Sequence, residues 1–171
     1  MGQLIRIERS ENAMTKKPTV FDVANYFLKI VDRESGSSIT HLKLQKLVYY
    51  AQAWHLVFTA GNPLFDSKIE AWVHGPASPQ LYNEYKSYGF DSIPEQKVII
   101  YNFTPEELDT LNAVWECYGD FDGKYLEELT HQELPWQEAR RGYAPGEHCT
   151  KEISLNTMQE YYTKVQENAG N

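Results

Sequence analysis

The stretch Ile39 to Gly61, ITHLKLQKLVYYAQAWHLVFTAG, limits what this chain can fold into more than any other part of it. Leu44, Leu47, Val48, Ala51, Trp54, His55 and Phe58 recur at steps of three and four, the spacing that places side chains on one side of a helix. Leu42, Tyr49, Tyr50 and Leu56 make much of the remaining surface apolar as well. A helix that is apolar on more than one side is covered on more than one side. The segment is therefore expected as a central core helix of about five turns, roughly 30 Å long at 1.5 Å per residue. Thr40 supplies an N-cap hydroxyl for a first-turn amide, and Gly61 a left-handed end free of any Cβ clash.

Other helices announce themselves by their starts. Thr19 with Asp22 three residues later opens a helix whose stripe is Val20, Val23, Ala24, Phe27, Leu28 and Val31. Ser78-Pro79 pairs a cap with proline at the first helical position, and Thr104-Pro105-Glu106-Glu107 adds a glutamate placed to close a capping box. Asp122 precedes a short helix over Gly123 to His131, Pro135 starts a further turn or two, and Ser154 caps a last helix. Between these, Lys68 to His74 partly alternates and reads as a short strand stopped by Gly75-Pro76, with Val98 to Tyr101 as its expected partner. The sum is a mainly α protein: one compact helical domain, residues 18–168, around a central helix, with a small two-stranded β element. Residues 1–17 read as a flexible N-terminal extension, with Met14 as an alternative start.

Charge and motifs exclude several classes of function. Sixteen basic against twenty-four acidic residues give −8, with a pI near 5.1, which argues against general attraction to nucleic acid or anionic lipid. Cys117 and Cys149 form no C-x-x-C pair and suggest no disulfide framework, so a reducing, cytoplasmic setting is expected. No charge-free apolar run is long enough for a membrane span, and MGQLIRIERSENA lacks the apolar segment of a signal peptide. His41, His55, His74, His131 and His148 include no H-E-x-x-H pair, and there is no phosphate-binding loop, dinucleotide fingerprint or serine elbow. Neither metal nor cofactor is expected, and no enzyme activity. The surviving enzymatic alternative uses His74, His131 or Cys149.

Three groups of residues are candidates for binding a partner. Trp72-Val-His74-Gly75-Pro76 joins an aromatic, a titrating group and a rigid turn, and His131 with Trp136 flanks a proline-started helix. Aromatics beside polar donors concentrate binding energy at interfaces, although both clusters can also simply close a core. Lys43, Lys46 and Tyr50 step along the central helix opposite its stripe. They either reach solvent and pair with neighbouring carboxylates, or border a groove completed by Trp72 to Pro76. On the second reading, Lys46→Glu is expected to leave folding nearly intact while weakening partner binding.

The ordered segments VANYFLKI, ITHLKLQKLVYYAQAWHL, PLFDSKIEAWVHGP, LYNEYKSYG and LTHQELPWQEAR resemble the SocA-like Panacea domain family, which includes the GepA-type phage-associated proteins. LKLQKLVYYAQAW followed by EAWVHGP carries most of the resemblance, which extends over roughly Phe21 to Arg141. It implies a helical domain without known catalysis, found as the antitoxin partner of many unrelated bacterial and phage toxins. It also implies, in one branch, an adaptor that delivers its toxin to a protease. His74 and Ala77 depart from the tyrosine and valine that members often carry. The expected partner is thus a cognate toxin, with a protease as a further one.

Overall fold

The structure, a computed structural model, describes residues 16–170. Of the expected N-terminal extension, only Lys16 and Lys17 fall within that range. Among the described residues the chain forms seven α-helices and one two-stranded sheet: α1 (Val20–Ile30), α2 (His41–Phe58), β1 (Glu70–Trp72), β2 (Gly75–Ala77), α3 (Pro79–Tyr85), α4 (Pro105–Tyr118), α5 (Gly123–His131), α6 (Leu134–Ala139) and α7 (Leu155–Ala169). A 3-10 turn, Lys86–Tyr88, follows α3.

Local chemistry sets the helix starts where the sequence marks them. Thr19 and Thr104 each close a full capping box, with Asp22 and Glu107 respectively reaching back to the cap amide. The side chains of Thr40, Ser78, Asp122 and Ser154 each accept from the amide three residues on. Each such cap satisfies a donor that has no helical partner and contributes about 1 kcal/mol. At the far end of α2, Gly61 stands at φ 113° and donates to Leu56 O at 2.8 Å.

Helix α2 is the axis of the molecule. Helices α1, α3, α4, α5 and α7 and strand β2 all pack against it. Fourteen of its eighteen residues are buried, as a helix apolar on several sides requires. Trp54 is half-buried and Phe58 exposed, because the last turn of α2 runs past the edge of the core. The stripe of α1 is covered too: Val20, Val23, Phe27 and Leu28 are each at most 1% exposed, and burying a side chain of this kind contributes about 1.5–3 kcal/mol.

The sheet corrects one expectation. Strand β1 pairs antiparallel with β2 in the register Glu70↔Ala77, Ala71↔Pro76, Trp72↔Gly75, leaving Val73-His74 as a two-residue connection. Val98 to Tyr101 lies outside any strand. Gly75-Pro76, which reads as a stop, is itself the second strand. Pro76 is tolerated because it sits opposite Ala71, whose own N–H points the other way to Lys151 O, so its missing N–H removes no ladder bond. The other edge of β1 is covered by the chain near Lys151, which accepts from Ala71 N–H at 2.8 Å, while Ile153 N–H donates to Ile69 O at 2.8 Å.

Gly75 closes the hairpin where space is shortest. At φ 100°, it sits where an added Cβ would lie 2.7 Å from Lys46 Cε and 2.8 Å from Thr130 Oγ1. Hairpin, α2 and α5 therefore meet at a point that excludes one carbon atom.

Candidate functional site: a groove beneath the hairpin

Side chains from two helices, and one from just beyond the second, hold the hairpin by its backbone. Lys46 Nζ of α2 donates to Pro76 O at 3.1 Å. The Gln45 amide is used at both ends, accepting from Ser78 N–H at 2.7 Å and donating to Ser78 O at 3.0 Å. From α6, Trp136 Nε1 donates to Trp72 O at 2.8 Å. Just beyond it, Arg140 donates to Ala71 O at 2.9 Å and to Glu147 O at 2.6 Å, tying the loop after α6 to the sheet. Buried carbonyls carry a desolvation penalty unless they are paired, and here long side chains supply the donors that a third strand would otherwise give.

The pinned hairpin forms one wall of a groove of about 820 Å³. Trp72, Val73, His74 and Gly75 line that wall, and the first turns of α2 form the floor through His41, Leu42, Gln45 and Lys46. Tyr82 and Phe90 close one side, Lys124 and Glu127 of α5 the other, with His148 at the rim. Trp72 meets Tyr82 edge to face at 5.1 Å, so the wall is largely aromatic. The size lies in the usual range for a ligand pocket.

Its charges are arranged asymmetrically. Glu127 is the groove's carboxylate, and both of its oxygens are occupied: His74 Nδ1 stands at 2.7 Å and Lys124 Nζ at 3.3 Å. Burial pushes the Glu127 carboxyl up, but these two partners outweigh it and hold it below its ordinary value. Lys46 is 1% exposed, and burial lowers its ammonium to about 7, with nearby Glu127 opposing the shift. Burial, helped by Lys46, lowers His41 to about 4, so its ring is neutral at pH 7.

The face of α2 carrying Lys43, Lys46 and Tyr50 is not solvated, and of the three only Lys46 borders the groove. Lys43 is 7% exposed, donates to Gly119 O at 2.5 Å and lies 5.6 Å from the Trp115 ring centroid. It serves as a cation at the C-terminus of α4. Lys46 forms part of the groove floor. Tyr50 is fully buried and stacks on Tyr118 at 3.9 Å, away from the groove. The reason is the same in each case: acceptors distant in sequence fold over this face and take the polar tips, backbone carbonyls for the two lysines and the Glu133 carboxylate for Tyr50.

The remaining candidates divide. Trp72, His74 and Gly75 line the groove, and Pro76 contributes the carbonyl that Lys46 holds. His131 and Trp136 lie behind the hairpin, stacked on each other at 4.1 Å, with His131 Nε2 buried and unpaired. Cys149 is buried, and among the described residues it makes no hydrogen bond to His74 or His131. No group of three or more His, Cys, Asp or Glu residues stands where it could hold a metal among the described residues. No helix among them is long and apolar enough to cross a membrane.

Four important residues escaped the sequence reading. Gln45 and Arg140 act on backbone atoms far along the chain, and nothing local marks them. Glu127 reads as part of a solvated acidic face, yet it is 3% exposed. Glu133 lies 8% exposed in a tyrosine cluster, accepting from Tyr50 Oη at 2.6 Å and Tyr162 Oη at 3.1 Å. The pattern Glu-Leu-Pro-Trp at the start of α6 was its only signal.

A family profile described as the antitoxin SocA-like Panacea domain matches residues 44–137, more than half of the chain. The chain belongs to that family. Comparison with curated proteins and with solved structures finds no match. The part of the Panacea domain so matched takes in Lys46, the hairpin, Tyr82, Phe90, Lys124 and Glu127, and therefore most of the groove. Helix α7 lies beyond the match but packs on α2 and contributes Tyr162 to the core.

Proposed function

We propose that this Panacea protein is an antitoxin that binds a toxin encoded beside it and neutralises it by direct contact, without catalysing a reaction. Membership of the SocA-like family over residues 44–137 carries the reading. The groove supports it by offering a preformed, aromatic-walled surface of the kind in which binding energy concentrates. On this reading the pair works in the cytoplasm of a bacterium or as part of a phage, and the groove residues Trp72, His74 and Lys124 meet the toxin.

Co-expression decides it. The product of the adjacent gene should arrest growth alone, permit growth beside this chain, and co-purify with it at a fixed ratio. Rescue without co-purification, or no toxicity to rescue, overturns the reading. The toxin's level separates two modes of protection. An unchanged level means blocking by contact, and a level that falls only when a cellular protease is present means delivery to that protease.

A further inference from the structure

The groove inverts the charge of the molecule. The whole chain carries twenty-four acidic and sixteen basic residues. The groove is lined instead by two lysines, Lys46 and Lys124, and the imidazoles of His41, His74 and His148, against the single carboxylate of Glu127. That carboxylate has no oxygen to spare, since His74 and Lys124 occupy one each. His74 and Lys124 themselves remain 77% and 69% exposed at the side chain, and the Lys124 ammonium keeps N–H donors beyond the one it gives Glu127. An incoming cation finds the one carboxylate here already paired, whereas an incoming carboxylate finds the Lys124 ammonium at the mouth. Deeper in, Trp72, Tyr82, Leu42 and Val73 offer apolar surface, and Phe90, wholly exposed, stands at the rim.

We propose that this groove binds a polypeptide segment in which an aromatic or large aliphatic side chain lies next to an aspartate or glutamate. The apolar side chain packs against the paired rings of Trp72 and Tyr82, and the neighbouring carboxylate meets Lys124 at the mouth. The segment is taken to belong to the toxin, so its biological meaning rests on the function proposed above. Charge complementarity selects the occupant: a basic segment would meet Lys124 with Glu127 already paired, and a purely apolar one would leave the Lys124 ammonium desolvated.

Panning a random heptapeptide phage library on the full-length chain tests this without any toxin. Enriched peptides should pair Asp or Glu with Phe, Trp, Tyr or Leu. Synthetic peptides from that pool should bind Tyr82→Ala and Lys124→Glu about tenfold or more weaker than the wild type. Both positions are partly exposed, and unchanged melting curves will show that the variants fold. The inference is overturned by failure to enrich any peptide above a bait-free surface, by enrichment of basic peptides, or by binding to both variants as tight as to the wild type. If acidic peptides bind this groove but the adjacent gene's product does not, the site stands and the antitoxin reading falls.

Discussion

The two halves of α2 bury polar side chains in different ways. In the N-terminal half, His41, Gln45 and Lys46 face the hairpin, and Gln45 and Lys46 spend their donors on its backbone. In the C-terminal half, Tyr49, Tyr50 and Trp54 engage other side chains. Tyr49 and Tyr162 share a hydrogen bond at 3.0 Å, Tyr50 and Tyr162 both donate to Glu133, and Trp54 Nε1 donates to Tyr118 Oη at 2.9 Å. The first set shapes a surface beside an open groove, and the second fills a closed core. Polar burial in one helix thus serves positioning at one end and cohesion at the other, and substitutions should tell the two apart.

Lys46→Glu should have the largest effect. It places a second carboxylate near buried Glu127 and removes the donor to Pro76 O, so a loss of about 3–5 kcal/mol is expected. Urea unfolding measures it, and a stability equal to wild type would mean that the N-terminal half tolerates charge as a surface does. In the closed half, Trp54→Ala should cost about 3 kcal/mol. The ring is half-buried, lies 5.8 Å from Phe58 and 5.5 Å from Tyr162, and leaves Tyr118 Oη without its donor.

Titration sharpens the contrast. Burial raises Glu133 from 4.5 to about 7, with the hydroxyls of Tyr50 and Tyr162 pulling it back only in part. Between those values the folded state keeps a proton that the unfolded chain has released. The contribution of Glu133 is therefore full below about pH 4.5 and is lost as pH rises through 7. Lys46 runs the other way: its contribution is full above 10.5 and is lost as pH falls towards 7. Each half of α2 is thus at its electrostatic worst near neutrality. Glu133→Gln should abolish a decline of about 2–3 kcal/mol between acidic and neutral pH. Parallel pH profiles for wild type and variant would show that Glu133 titrates alike in the folded and unfolded chains.

Smaller effects follow. Tyr50→Phe leaves Glu133 with Tyr162 as its donor and should cost about 1–2 kcal/mol. Tyr82→Ala, on the open side, should change stability by no more than about 0.5 kcal/mol, because the ring is 43% exposed. A larger loss there would make the groove wall part of the core.

Helix starts were legible because a cap acts within four residues: Thr19 with Asp22, Thr104 with Glu107, and Ser78 with Pro79 each carry their own instruction. The all-round burial of α2 was legible from its composition. The role of Lys46 was not, since a lysine's burial depends on what lies above it. Here that is the carbonyl of Pro76, thirty residues on. The strand partner was misassigned for a related reason. Gly75-Pro76 breaks structure in most contexts, and only the Lys46 donor and the tight meeting with Thr130 make it a usable edge. As to the site, Trp72, His74 and Gly75 were found from their chemistry, whereas Glu127 and Gln45 matter through contacts that no local pattern records.

Gly75 also bears on how the groove meets a ligand. A wall whose carbonyls are held by Lys46, Trp136 and Arg140 cannot swing outward without breaking those hydrogen bonds, and the close fit at Gly75 leaves it no room to move inward. The cavity should therefore behave as a mould rather than a clamp. Most of the conformational adjustment on binding then falls to the guest, which gives up its own freedom to match a shape already set. Segments already extended or stiffened should be held longest, and differences among guests should appear chiefly in how slowly they leave.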